Sequence, residues 1–266
     1  MFADLHHNRL FDNFTQEERD KLLQCCVRML YHAAIKTKPE ENVDCMIVKS
    51  VGHAAGIAAD FARTFPRARH MYMYRHPAEY LRSVRSVFFS VFHPFFRSLA
   101  LMLSYQENNI ESFAGRQFPV MNKEAMQANV HWHKSRQMFQ VLDNTYESIF
   151  SGLFASNLMT IKYLMEVHHI DLLPVSYHDL KNDPEGEMFK IRQFCQIDQS
   201  RKCTLPERDT QANSGLSRET LNPYKIDLKP EEVSKLDLAL VTSGFPKSSE
   251  FPIHASQFKD LMSFRL

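Results

Sequence analysis

Glycine is scarce in this sequence, and paired cysteines, a marked net charge and long apolar runs are missing as well. Only 7 of the 266 residues are glycine, so flexible glycine-rich linkers are not expected. The 5 cysteines are odd in number, irregularly spaced and without a C-x-x-C pair, which favours reduced thiols over a disulfide framework or a zinc site. The formal net charge of +1 gives no global attraction to nucleic acid or to an anionic membrane. No apolar run reaches about 18 residues, so no membrane segment is predicted.

The rest of the composition is that of a globular protein. Hydrophobic residues make up 44% of the chain and charged residues 24%, so the chain can bury a core. A length of 266 residues suits one large α/β domain or two small ones. We expect a single domain over 1–266, with its core at about 44–200 and a surface tail at about 244–266.

The N-terminal stretch does not predict a secretory leader. Residues 1–13 are polar and lack the apolar run that such a leader needs. Read as it stands, the sequence predicts a cytoplasmic protein. A membrane anchor lost with a shortened N-terminus would instead place the protein in the Golgi.

Apolar periodicity predicts short strands that alternate with helices. Thr15 and Glu18 have the spacing of a capping box, which predicts the start of a helix. Apolar runs bounded by polar residues predict strands at 45–48, 70–74 and 172–176. Helices are predicted at 52–64, 77–89, 124–142, 146–168, 184–195 and 230–241. Two strands joined by one helix form a right-handed βαβ unit, so the predicted fold class is α/β with a parallel sheet.

Positive charge is concentrated in one part of the chain. Between Arg63 and Arg85 the sequence has six arginines and one acidic residue, Glu79. This predicts a local field that favours anions inside a neutral protein. A solvated basic face is the alternative from charge alone. Arg75 has a second alternative, since it has the i,i+4 spacing to pair with Glu79 on a helix.

An anion site is predicted where the strand at 70–74 passes into the following helix. Pro77 opens that helix, and a helix N-terminus presents unpaired N–H groups and a partial positive charge. The planar guanidinium of Arg75 suits phosphate oxygens. Ser83 lies eight residues further on, and helical side chains lean toward the N-terminus, so its hydroxyl can reach the same anion.

Three segments in this order resemble the sulfotransferases that use 3′-phosphoadenosine 5′-phosphosulfate (PAPS). They are Lys49-Ser50 after a strand, the Phe-Pro-x-Ala-x-x-x-Tyr-x-x-Arg-x-Pro stretch that continues to Ser83, and residues 173–180 followed by Asp183-Pro184. The resemblance covers about 45–195. It implies a P-loop-like architecture with a parallel sheet flanked by helices. It also implies transfer of a sulfuryl group from PAPS, without a metal, to a hydroxyl or amine of a small molecule or glycan.

The resemblance implies roles for five residues. Arg75 and Ser83 correspond to the residues that bind the 3′-phosphate, and Tyr177 to a tyrosine near the nucleotide. Lys49 corresponds to the lysine at the sulfuryl-transfer centre, where a cation stabilises the leaving phosphate. His53 is the candidate base for the acceptor hydroxyl, although it lies two residues beyond the family's usual Lys-x-His position.

Each of these residues also has a structural interpretation. Lys49 suits a solvent-facing loop, and His53 a helix cap or a core contact. Tyr177 is as well suited to a core as to a nucleotide. The pattern His131-x-His133 does not predict a metal pair, because residues two apart on a helix do not face each other.

The sequence departs from the family at both phosphate loops. Nothing matches the upstream Pro-x-Ser/Arg-Gly-Thr-Thr loop that should hold the 5′-phosphosulfate, and no Gly-x-x-x-x-Gly-Lys loop occurs. The late Arg-Lys-Gly loop is not found in clear form either. We therefore expect an N-terminally shortened product or gene model. The alternatives are a catalytically inactive relative that acts as a binding or scaffold protein, and a kinase-like transferase, which the missing Walker loop argues against.

Overall fold

The structure, a computed structural model, describes residues 13–37, 57–91, 128–143, 145–198 and 227–263. The predicted strand at 45–48 lies outside the described residues. The helices are α1 Gln16–Thr37, α2 Ala58–Thr64, α3 Pro77–Val91, α4 Val130–Val141, α5 Tyr146–Val167, α6 Tyr177–Asn182, α7 Pro184–Phe194, α8 Pro230–Thr242 and α9 Phe258–Ser263. The strands are β1 His70–Tyr74 and β2 Leu172–Ser176, and two short 3-10 helices span Ser248–Glu250 and Ala255–Gln257.

The two strands pair in parallel, and the described part of the chain is otherwise mostly helical. The parallel pairing of these two strands is thus confirmed, and the predicted α/β fold class is compatible with the structure, whereas the P-loop-like architecture stays a prediction. Both strands have the bounds that the apolar runs predicted. No helix within the described ranges combines the length and the apolar character that crossing a bilayer requires.

The chain divides into two compact units. The first contains the described residues of Met1–His70, Ser112–His133 and Asn157–Leu172. The second contains those of Met71–Glu111, Lys134–Ser156 and Leu173–Leu266. The single domain predicted for 1–266 stays a prediction.

In the first unit, the capping box at the start of α1 is confirmed. The backbone N–H of Thr15 donates to Glu18 Oε2 at 2.7 Å, and the Glu18 N–H donates back to Thr15 Oγ1 at 3.3 Å. This exchange satisfies donors that a helix start leaves unpaired. Leu23 is buried, whereas Leu30, seven residues further along the same helix, is 55% exposed.

In the second unit, β1 is buried on only one of its faces. Tyr72 and Tyr74 pack on Phe258, with ring centroids 5.7 and 4.8 Å apart. Met71 and Met73 alternate with them and are exposed, because successive side chains of a strand point to opposite faces. The tyrosine face of β1 therefore lies against the core, and its methionine face is exposed.

The surface tail predicted from about residue 244 is wrong for the described residues up to 263. Phe245, Phe251, Phe258 and Leu261 are all buried. Their apolar side chains are separated by polar residues, so the segment lacks the continuous periodicity that identifies a core helix. Single aromatic side chains nevertheless bury a large area each, and they bind this segment into the core of the second unit.

Candidate anion site at the ends of the strands

The site is built on the residues that directly follow the two strands. Arg75 follows Tyr74 at the end of β1, and Tyr177 follows Ser176 at the end of β2. Parallel neighbours end at the same edge of a sheet, the edge where α/β proteins bind ligands. The Arg75 Cζ atom accordingly lies 3.6 Å from the centre of the Tyr177 ring, in cation–π contact.

Helix α3 supplies the third member of the site. Ser83 lies in the second turn of α3, and its side chain leans toward the helix N-terminus. Arg75 Nη1 donates a hydrogen bond to Ser83 Oγ at 3.2 Å. The structure thus brings together Arg75, Ser83 and Tyr177, which we call the Arg75 cluster. Its role in nucleotide binding stays a prediction.

Other arginines of the basic stretch form ion pairs with acidic residues that lie outside this stretch. Their ion pairs have N–O distances of 2.6 to 3.3 Å: Arg63 with Asp20 and Asp60, Arg82 with Asp227, and Arg85 with Glu232. The pair between Arg85 and Glu232 is nearly buried, with side chains only 13% and 10% exposed. The local excess of positive charge is therefore smaller than the sequence suggests.

Arg75 has no such counter-charge within the part of the chain that the structure describes. Its guanidinium contacts Ser83 and Tyr177, and no described carboxylate lies within 4.0 Å of it. Glu79, the alternative partner on the helix, is exposed and forms no ion pair with Arg75 among the described residues. A guanidinium has five N–H donors, so Arg75 has the donors for an anion.

The start of α3 adds backbone donors next to Arg75. Pro77 is the first residue of the helix, and the Tyr80 N–H closes the first turn by donating to the His76 carbonyl at 2.9 Å. First-turn N–H groups have no partner within a helix and carry partial positive charge. Arg75 and the helix start together favour an anion.

Residues 248–255, which we call the C-terminal strap, bind both strand ends. His76 Nε2 lies 2.8 Å from the Ser248 carbonyl oxygen. A carbonyl oxygen only accepts, so Nε2 carries the proton. At the other strand end, Ser176 Oγ donates to the Ile253 carbonyl at 2.6 Å. The same Ser176 oxygen caps α6 by accepting from two backbone N–H groups.

The carboxylate of Asp179 in α6 forms two further bonds to the strap. Asp179 Oδ1 lies 2.6 Å from His254 Nδ1, and Oδ2 accepts from the Ala255 N–H at 2.8 Å. Burial alone would raise the pKa of Asp179. The bonds from Ala255 and His254 and the nearby imidazole charges outweigh it, so this pKa lies below the ordinary value of 3.8. The pKa of Tyr74 is raised, mainly by burial of this tyrosine and also by the nearby charge of Asp179.

The lowered pKa of Asp179 predicts how Asp179→Asn changes stability with pH. The unfolded chain takes up the proton at a higher pH than the folded chain, so the Asp179 contribution is present above about pH 4 and is lost as pH falls through the lower folded value. We expect Asp179→Asn to lower the free energy of unfolding most above about pH 5 and progressively less below about pH 4. Urea unfolding of both proteins across this range measures the difference. A difference that does not shrink at low pH would contradict the assignment.

The structure describes only some of the site residues predicted from the sequence. Lys49 and His53 lie outside the described residues. His76 and Asp179 were not assigned a role, although both stand beside predicted site residues. For α6, the sequence signal was Ser176, a serine placed as a helix N-cap before a run of polar residues.

His131 of the His131-x-His133 pattern in α4 contacts a carboxylate that is not part of the Arg75 cluster. His131 Nε2 lies 3.0 Å from Glu166 Oε2, and Lys162 Nζ lies 2.9 Å from the other oxygen of that carboxylate. No group of three or more potential metal ligands occurs among the residues that the structure describes. The absence of a metal from the reaction stays a prediction.

Comparison of the chain with protein-family models, with curated proteins and with solved structures finds no match. The resemblance to PAPS-dependent sulfotransferases therefore rests on the three sequence segments and their order. The Arg75 cluster adds an observation that is independent of any relative: a guanidinium held at the ends of two parallel strands.

Proposed function

We propose that this chain is a sulfotransferase-like protein whose Arg75 cluster binds the 3′-phosphate of PAPS. One observation carries the proposal. The Arg75 guanidinium lies between the Ser83 hydroxyl and the Tyr177 ring, with no carboxylate partner among the described residues. A cation held in place without a counter-charge favours an anionic ligand.

Each member of the cluster has a distinct part in holding the phosphate. The guanidinium provides parallel N–H donors that match two phosphate oxygens. A phosphate oxygen within reach of both groups accepts from Arg75 and from the Ser83 hydroxyl. Tyr177 stacks on the guanidinium and restricts its orientation, which reduces the entropy lost on binding. The N-terminus of α3 adds a favourable partial charge.

Sulfuryl transfer itself is assigned to residues outside the described ranges. PAPS supplies a sulfuryl group whose bond to the 5′-phosphate oxygen breaks as a bond to the acceptor oxygen or nitrogen forms. In the proposal, Lys49 stabilises the charge that develops on the leaving phosphate. His53 accepts the proton of the acceptor group. The P-loop-like architecture, with a further strand at 45–48, is part of the same proposal.

A second candidate is a relative that binds the nucleotide without transferring sulfate. The sequence favours it in one respect, because no segment matches the loop for the 5′-phosphosulfate. Both candidates require the 3′-phosphate site. They differ in whether radiolabelled sulfate moves from PAPS to an acceptor.

Calorimetric titration of the wild-type chain tests the shared claim. Adenosine 3′,5′-bisphosphate carries the 3′-phosphate, and adenosine 5′-monophosphate lacks it. We expect the bisphosphate to bind at least about tenfold more tightly, which corresponds to about 1.4 kcal/mol. Equal affinities, or no binding of the bisphosphate, would contradict the proposal.

A further inference from the structure

The C-terminal strap bonds to residues adjacent to both strand-end members of the Arg75 cluster. Next to Arg75, His76 donates to the strap at Ser248. Around Tyr177, Ser176 bonds to Ile253 and Asp179 to two successive strap residues. The strap therefore holds the side chains of residues beside Arg75 and on both sides of Tyr177.

Helix α6 depends on such support. It has only 6 residues, and an isolated helix of this length is unstable in water. Tyr177 is its first residue, so the orientation of α6 determines where the tyrosine ring lies. The strap binds α6 at its N-cap, Ser176, and in its first turn, Asp179. Both oxygens of one carboxylate are used, which restrains rotation as well as distance.

We propose that the strap pre-organises the Arg75 cluster for its anion, with Asp179 and His254 as the positioning pair. The inference rests on the proposed function, because it concerns the same phosphate site. Groups held in the binding geometry before the ligand arrives lose less entropy on binding. Loosening the strap should therefore weaken binding of the 3′-phosphate without removing any group that contacts it.

Two substitutions at His254 separate positioning from general stability. His254→Ala removes the Nδ1–H donor to Asp179, whereas His254→Asn keeps an N–H donor at a similar distance from the backbone. We expect His254→Ala to weaken binding of adenosine 3′,5′-bisphosphate about fivefold. Binding of adenosine 5′-monophosphate should change by less than about twofold, and His254→Asn should retain most of the wild-type affinity.

Ala255→Pro provides an independent variant that keeps the local backbone. Ala255 is the first residue of a 3-10 helix, and His254 before it has φ −93° and ψ 142°. That extended conformation is the one that a residue before proline adopts. The substitution therefore removes the N–H bonded to Asp179 and little else. It should weaken bisphosphate binding to a similar extent, whereas Gln257→Ala at an exposed position of the same helix should not.

The outcomes separate this inference from the proposed function. If wild type does not prefer the bisphosphate, both fail. If wild type prefers it and His254→Ala and Ala255→Pro bind it as tightly as wild type, only the positioning role is wrong. The positioning role is also wrong if His254→Asn loses as much affinity as His254→Ala, or if affinity for both nucleotides falls equally.

Discussion

Replacing Arg75 by alanine is expected to weaken binding of adenosine 3′,5′-bisphosphate by about 100-fold, or about 2.7 kcal/mol. The substitution removes the cation of the Arg75 cluster and leaves only the neutral side chains of Ser83 and Tyr177. Hydrogen bonds between a guanidinium and a phosphate are charge-assisted and bidentate, so one alanine removes most of the phosphate recognition. The affinity for adenosine 5′-monophosphate should change far less.

Arg67→Ala is the matched control for this experiment. Arg67 is an exposed arginine of the same basic stretch, so its removal changes the net charge by the same amount. Calorimetric titrations of both variants and of wild type, at one ionic strength, measure the effect. If Arg67→Ala weakens binding as much as Arg75→Ala, a diffuse basic face binds the nucleotide and the cluster has no special role.

Replacing Phe258 by alanine is expected to lower the free energy of unfolding by about 3–5 kcal/mol. Phe258 is 0% exposed and packs on both tyrosines of β1, the nearer ring centroid being 4.8 Å away. The truncated side chain leaves a cavity under the sheet, and the apolar area that the ring buried is lost. The effect should be large because the C-terminal segment belongs to the core of the second unit.

Urea unfolding of Phe258→Ala and Lys259→Ala measures this effect with a control in the same helix. Lys259 is the next residue of α9 and is exposed, so its substitution should change the free energy of unfolding by less than about 0.5 kcal/mol. Should both variants unfold like wild type, the C-terminal segment would be the surface tail that the sequence suggested.

Much of the local structure could be predicted because its causes are local. The apolar runs at β1 and β2 are short and bounded by polar or turn-forming residues, which determine where each strand begins and ends. Thr15 with Glu18, and Asp183 before Pro184, are capping patterns whose hydrogen bonds involve residues three positions apart. The proximity of Ser83 to Arg75 likewise follows from the geometry of one strand end and one helix.

The parts that sequence reasoning missed depend on contacts between distant residues. Nothing in the local pattern shows that β1 and β2 are neighbours, so the stacking of Arg75 on Tyr177 did not follow from the strand predictions. Glu232 is 147 positions from the arginine it neutralises, and no periodicity reveals such a pair. The strap was missed for the same reason, since its bonds to Asp179 are 75 and 76 positions apart.

A crystal structure of the chain with adenosine 3′,5′-bisphosphate tests whether the Arg75 cluster binds the 3′-phosphate. We expect 3′-phosphate oxygens at about 2.7–3.2 Å from the guanidinium nitrogens of Arg75 and from Ser83 Oγ, with the guanidinium still stacked on Tyr177. A bisphosphate bound with its 3′-phosphate away from Arg75 would contradict it.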